Sequence, residues 1–321
     1  MILMGGPSKG TGIATREAYG EELAKLGEEN KNILVLDADL STSTKTAIFG
    51  KKFPDRFFDM GIAEQNMIAV AAGMSFTGKT VFASSFAMFA SGRPWEQIRN
   101  AVCNNNANVK IVATHGGISV GEDGSSHQAL EDIAIMRAIP RMRVINPADG
   151  AATKKIIRAV ADDFGPVYVR LSRPKFPILY DDSYSFKMGQ GNLLDDGADC
   201  AIIAIGYEVN ESLKAAEMLK AEGISVRVID MASIKPLDSA MVLKAARECG
   251  AIVTAEEHSI IGGLGGAVCE CVSASYPVPV VRVGVKDTFG ESGDFLSLLE
   301  KFGLTAPHIA DAVRAAVKMK K

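Results

Sequence analysis

Short apolar runs alternate along this chain with longer stretches in which apolar residues return every three or four positions. After a Gly-rich start, "IATREAYGEELAKLGEEN" has the spacing of an amphipathic helix, and "NILVLDADL" reads as a buried strand that ends in acidic residues. The beat continues. "RFFDMG" and "TVFASSF" are expected strands on either side of the helix "AEQNMIAVAAGMSF". "PWEQIRNAVCNN", "ALEDIAIMRAI" and "GAATKKIIRAVADD" are expected helices that alternate with the strands "NVKIVATHGG", "MRVINPAD" and "PVYVRLS". Strands with apolar runs, alternating with helices, predict a parallel sheet covered on both faces.

The stretch "RPKFPILYDDSYSFKMGQGNLLDDGADC", rich in Pro, Gly and Asp, breaks this rhythm and predicts a boundary near residue 187. A second unit follows, with strands "CAIIAIG", "VRVIDM", "AIVTAEE" and "PVPVVRVGV". Between them lie the helical stretches "VNESLKAAEMLKAEG", "LDSAMVLKAARECG" and "GGLGGAVCECVSASY", and "APHIADAVRAAVKMKK" closes the chain. The expected architecture is α/β, with two domains over residues 1–186 and 187–321, each a mainly parallel sheet flanked by helices. No fixed-period repeat or low-complexity tract interrupts it.

The composition, 47% hydrophobic and 23% charged over 321 residues, supplies enough apolar material for two cores. A formal net charge of -3 with dispersed Lys and Arg offers no basic field for nucleic acid or an anionic membrane. Five cysteines, Cys103, Cys200, Cys249, Cys269 and Cys271, lack zinc spacing and read as reduced thiols. The start has no signal-peptide pattern and no later apolar run has membrane-spanning length without charge, so the expected location is cytoplasmic.

In open parallel sheets, ligands meet the carboxyl ends of the strands. There the sequence places Asp37, Asp39 and Ser43; then Glu64; Phe86 and Phe89; His115, Asp123 and His127; and Ser172 with Arg173. Two of the four histidines fall in the loop "THGGISVGEDGSSH", whose glycines allow tight turns beside a ligand. A metal is one reading of that cluster, but His115 and His127 lack short ligand spacing. Glu64 opens an apolar helix, where a carboxylate needs a partner, a proton or a capping role. Phe86 and Phe89 share a helix face, suiting either a ring pocket or ordinary core packing.

The motifs "DMGIAEQN", "SSFAMFASGRPWEQIRN", "THGGISVGEDGSSHQALEDIAIMR", "VRLSRP" and "EEHSIIGGLGGAV" occur in the order found in the transketolase family, whose C-terminal half this chain resembles over essentially its whole length. The resemblance implies thiamine diphosphate as cofactor. By it, Glu64 hydrogen-bonds a pyrimidine nitrogen and promotes the imino tautomer that removes the thiazolium proton, Phe89 stacks on the ring, Phe86 lines the pocket, and Asp39 and Leu40 lie beside the cofactor. His127, with a catalytic part as well, and Asp123 would meet sugar hydroxyls. His115 would meet the sugar phosphate, and Arg16, Ser43 and Arg173 would clamp it. Many full-length relatives carry a further aromatic where this chain has Gly92. "GGLGGAV" suggests a dinucleotide turn, but its spacing is not G-x-G-x-x-G, and the family uses this stretch for backbone packing.

The family's Gly-Asp-Gly metal and diphosphate signature is absent from the chain. The resemblance is therefore to the C-terminal subunit of a split transketolase. A separate N-terminal subunit would hold magnesium or calcium, two copies of each subunit would assemble, and sugar phosphates would be the substrates. The competing identities are a deoxyxylulose-phosphate synthase-like chain, a 2-oxo-acid dehydrogenase beta subunit, and a non-catalytic regulatory subunit of the same fold. The His115, Arg16 and Arg173 set argues against the dehydrogenase, whose substrates lack a sugar phosphate.

Overall fold

The computed structural model describes residues 12–320; the reading of the Gly-rich start falls largely outside them. Among the described residues the strands form two sheets. The first contains β1 (Ile33–Asp37), β2 (Phe57–Asp59), β3 (Thr80–Phe86), β4 (Val109–Thr114), β5 (Arg143–Ile145) and β6 (Val167–Arg170). The second contains β7 (Asn192–Asp195), β8 (Cys200–Ala204), β9 (Val226–Asp230), β11 (Ile252–Ser259) and β12 (Val280–Val285). The remaining strand, β10 (Ser233–Lys235), leaves the second half of the chain and pairs antiparallel with β5. The first sheet therefore has the order β10-β5-β6-β4-β3-β1-β2, and the second β12-β11-β8-β9-β7.

All pairings within β1 to β6 are parallel, so these strands end on one edge. The centre of the sheet explains the apolar runs. Every residue of β3 and β4 is buried, because helices cover both faces. The helix Glu64–Ser75 packs against β3, and the helices Thr15–Glu29 and Gly150–Asp162 pack on one another. Asp149 caps the latter: its Oδ1 accepts from Ala152 N at 2.7 Å, satisfying one of the free amides of the first turn.

The other oxygen of Asp149 accepts from Leu179 N at 2.7 Å and Tyr180 N at 2.9 Å, which pins the connecting segment to the first sheet. Tyr180 in turn donates to Asp230 Oδ2 at 2.6 Å. The apolar core does not sort by domain. Its two clusters each draw on both halves: one joins Tyr19 and Phe82 to Val209 and Ile309, and the other joins Ile111 and Met136 to Ile234 and Leu264.

Two strands escape the sequence pattern. β7 has alternating half-buried and exposed residues and pairs antiparallel at a sheet edge, so it lacks a continuous apolar run. β10 is three residues long, and only its long-range partner β5 makes it a strand. The "GGLGGAV" turn also resolves physically. At the start of the helix Leu264–Ser275, the amides of Leu264 and Gly265 donate to Oε2 and Oε1 of buried Glu256 at 2.7 and 2.8 Å. An internal carboxylate thus takes the seat an anionic ligand would need.

Candidate functional site

The sequence-predicted residues gather along the shared edge of β1 to β6. At one end stands Glu64, first residue of its helix and 3% exposed. Its Oε1 accepts from Arg93 Nη1 at 2.7 Å. The Arg93 guanidinium also lies over the Phe89 ring, with Cζ 4.1 Å from the centroid, a geometry that favours cation–π attraction. Gln65 Nε2 donates to the Arg93 carbonyl at 3.2 Å. The carboxylate thus has a protein partner, which sequence reasoning did not name. The signal was present: Arg93 follows Phe89 by four residues, a spacing that places side chains on one helical face.

Phe86 is the extended last residue of β3, not part of the helix face expected from its spacing, and Phe89 sits in the following short helix, Ala87–Gly92. Their rings are near-parallel with centroids 6.1 Å apart. Phe86 is buried and stacks on His115 at 3.8 Å, while half-buried Phe89 meets the edge of His127 at 5.1 Å. At Gly92 a side chain would point into open space, so the missing aromatic leaves no packing defect within this chain.

His115 follows β4 with φ 59, a left-handed conformation uncommon outside glycine. Its Nδ1 lies 2.8 Å from Thr114 Oγ1 and its Nε2 3.4 Å from Arg16 Nη1. Arginine can only donate, so Nε2 accepts and the ring proton belongs on Nδ1, directed at the threonine. Burial, reinforced by the nearby charges of Arg16 and Arg173, holds this imidazole down to about 3. His115 is thus a buried ring whose accepting nitrogen faces the Arg16 guanidinium, at the end of the row where the sequence reading expects a phosphate contact.

Arg16 also donates from Nη1 to the Ser43 carbonyl at 3.0 Å. It is the backbone of Ser43 that takes part. The buried Nε of Arg16 has no hydrogen-bond partner among the described residues. Burial lowers the guanidinium from its ordinary range, Glu17 opposes this, and the like charge of Arg173 adds to it. Arg16, Glu17, Ser119, Glu122, Arg173 and Lys175 line one cleft. Arg173 donates there to the Val120 carbonyl at 2.6 Å and pairs with Glu122. The cleft sets three cations, Arg16, Arg173 and Lys175, against the carboxylates of Glu17, Glu122 and Asp294, and the unpartnered Nε of Arg16 adds a donor that suits an anion.

Asp39 and Leu40 lie on the turn after β1, which Asp37 builds. Asp37 accepts from Leu40 N, Thr44 Oγ1 and Thr46 Oγ1 at 2.7, 2.7 and 2.8 Å, and burial pushes its carboxyl up to about 6 against those bonds. Asp39 is exposed, with φ 61, and its amide donates to Asp59 Oδ1 at 3.1 Å.

The loop after His115 is held by the second half of the chain. Buried Glu257 accepts from Ser119 N, and Ser292 Oγ donates to the Glu122 carbonyl at 2.6 Å. Gln128 Nε2 donates to the Ile118 carbonyl at 3.2 Å and to the Glu291 carbonyl at 2.9 Å. Gly117, at φ 89, passes so close to Glu257 that any Cβ would overlap its carboxylate. His127 is half-buried, with Nδ1 2.9 Å from Ser126 Oγ. Asp123 ends the segment Ile118–Asp123, exposed; among the described residues no hydrogen bond or ion pair joins its carboxylate to His127.

The contacts form one row: Ser43 carbonyl, Arg16, His115, Phe86, Phe89, Arg93, Glu64. His127 stands edge-on to both phenylalanines. Leu40 joins the row through its carbonyl, which accepts from Ser43 N at 2.8 Å, whereas among the described residues no hydrogen bond or ion pair links the Asp123 or Asp39 carboxylate to it. Such a wall combines a carboxylate, aromatic faces and two guanidiniums, Arg93 beside the carboxylate and Arg16 at the far end, and suits a planar nitrogen heterocycle at one end and an anion at the other. No cluster of three or more His, Cys, Asp or Glu among the described residues is placed to hold a metal ion. No helix among them is long and apolar enough to cross a membrane.

Residues 11–178 match the model of the transketolase pyrimidine binding domain, and residues 189–309 that of the transketolase C-terminal domain. A Methanocaldococcus jannaschii chain provisionally named a transketolase C-terminal section is 52% identical, over 99% of both chains. The 6-deoxy-6-sulfo-D-fructose transketolase subunit of a Clostridium species is 41% identical, over 95% of each. Among solved structures, a split gene transketolase described as an inactive β4 tetramer superposes with a TM-score of 0.89 at 53% identity, covering 97% of this chain and 100% of its own.

Proposed function

This chain belongs to the transketolase family, and from that premise we propose that it is the C-terminal subunit of a split transketolase. The complete enzyme moves a two-carbon ketol unit from a ketose phosphate to an aldose phosphate in the cytoplasm. Thiamine diphosphate, when bound, supplies the electron sink for that transfer. The row from Arg16 to Glu64 carries this reading, because one continuous wall offers a ring seat and an anion seat.

The residues present fit the pyrimidine end of the cofactor. Glu64 is a nearly buried carboxylate beside an aromatic face, able to share a proton with a ring nitrogen. Phe89 offers a stacking surface, Phe86 stacks behind it and is itself backed by His115, and the Asp39–Leu40 turn would border the seat. A separate N-terminal subunit would provide the diphosphate cradle and its magnesium or calcium, in an assembly of two copies of each chain. The β4 description of the solved relative as inactive supports this division.

At the other end, Arg16 and Arg173 would bind the sugar phosphate, with His115 fixing Arg16 and Ser43 its carbonyl anchor. His127 and Asp123 would meet sugar hydroxyls, His127 also moving protons there. The Clostridium relative is named for a sulfonated sugar, so the pentose phosphate pathway is one setting among several for the proposed reaction. Mixing purified chain with the N-terminal subunit and assaying ketol transfer across several ketose phosphates tests the reading. Activity that requires both subunits and thiamine diphosphate is expected. Turnover by this chain alone, or none from the assembled mixture, would defeat it.

A further inference from the structure

The Arg93 guanidinium contacts the same two groups that the proposed function assigns to the aminopyrimidine ring. It donates to Glu64 Oε1 at 2.7 Å and lies over the Phe89 face at 4.1 Å. A guanidinium and an aminopyrimidine are chemically alike in this setting. Both are flat, both present N–H donors in a plane, and both stack on an aromatic ring while bonding a carboxylate. A cleft of about 540 Å³ opens beside them, lined by Ile62, Ala63, Glu64, Gln65, Asn66 and Arg93.

We propose that Arg93 is the exchangeable occupant of the pyrimidine seat: it holds the Glu64 carboxylate and is displaced by the incoming ring. The inference rests on the proposed role of Glu64 and Phe89. The asymmetry of the pair supports it, since the Glu64 side chain is 3% exposed and that of Arg93 46%. A nearly buried carboxylate without a partner is strongly unfavourable, so some donor must be present whenever the ring is not. Arg93 can supply that donor and then swing into water at small cost, because half of it is already solvated. Ring binding would thus be a swap of one planar donor for another, with affinity set by the difference between them.

Thiamine, which lacks the diphosphate, is the probe, because it reports the ring seat without the cradle of the other subunit. It would be titrated into the full chain by calorimetry, with ligand-observed NMR for weak binding, for wild type, Arg93→Gln, Arg93→Lys, Glu64→Gln and the Glu64→Gln/Arg93→Gln double variant. Loss of a competing half-exposed ion pair and its ring contact should tighten thiamine binding by roughly five- to tenfold in Arg93→Gln. Arg93→Lys, charged but unable to lie flat on Phe89, should fall between. Glu64→Gln should weaken binding, and adding Arg93→Gln to it should tighten binding by less than it does in the wild-type background, because only the Phe89 contact and a neutral hydrogen bond remain to be removed. If Glu64→Gln weakens binding but Arg93→Gln equals wild type or binds less, the exchange is refuted while the ring seat stands. If Glu64→Gln leaves affinity unchanged, or no variant binds thiamine, the ring seat itself fails, and the exchange fails with it.

Discussion

Replacing Glu64 by Gln separates a catalytic carboxylate from a structural one. Gln keeps the volume and an oxygen that can still accept from Arg93 Nη1, so the perturbation is the loss of one charge and of a titratable proton. A charge-assisted hydrogen bond contributes about 1.5–3 kcal/mol and a neutral one about 0.5–1.5 kcal/mol. The guanidinium is half-exposed, and solvent screening reduces the difference to under about 1 kcal/mol of folding stability. General acid–base assistance is worth on the order of 100- to 10,000-fold, or about 3–5 kcal/mol in the barrier. The variant should therefore fold and assemble almost normally while losing at least about 100-fold in turnover. Urea unfolding of the chain, ketol transfer by the mixed subunits, and deuterium exchange at the thiazolium carbon of bound cofactor measure the three quantities. Exchange should collapse in Glu64→Gln and survive in His127→Ala, which should impair sugar handling instead. Wild-type exchange in an assembled Glu64→Gln enzyme would reduce Glu64 to a partner for Arg93 and the helix end. A stability loss above about 3 kcal/mol would attribute any inactivity to folding.

Arg170→Met should destabilise the chain by about 3–5 kcal/mol in urea unfolding, because it leaves the buried Asp132 carboxylate without a charge partner and with only the Tyr168 hydroxyl as donor. Arg170 Nε bonds Asp132 at 2.9 Å, and Nη2 reaches the carbonyls of Ala129 and Glu257, both at 2.9 Å; adding Asp132→Asn should restore part of the loss. His115 titrates from an ordinary 6.5 down to about 3. Between those values the unfolded chain binds the extra proton, so this group's contribution to stability is complete above 6.5 and drains away as pH falls toward 3. His115→Gln should flatten that acid limb in pH-dependent unfolding, and an unchanged slope would contradict a buried neutral ring. Arg173→Ala in the mixed enzyme should raise KM for phosphorylated donors roughly 10- to 100-fold, the worth of a charge-assisted hydrogen bond, and barely alter it for an unphosphorylated sugar; equal effects on both would remove Arg173 from the anion seat.

What the sequence determined by itself was whatever rests on local periodicity. The apolar run of β3 and the amphipathic spacing of the helix Gly150–Asp162 each specify their element without long-range help. The alternation of such elements is enough for a parallel sheet, and a parallel sheet brings the ends of β1, β2, β3, β4 and β6 to one edge. Glu64, Phe86, His115 and Arg173 were legible as neighbours on that ground. Tertiary structure alone decided what depends on contacts between distant residues. It set Arg93 against Glu64, turned Ser43 to Arg16 through its carbonyl, and buried His115 among positive charges beside Arg16. It also sent β10 back to β5 and placed Glu257 under Gly117. A three-residue strand or an ion pair across 29 positions leaves no period in the sequence. Its stability comes from burial and charge supplied by partners that only the folded chain brings within reach.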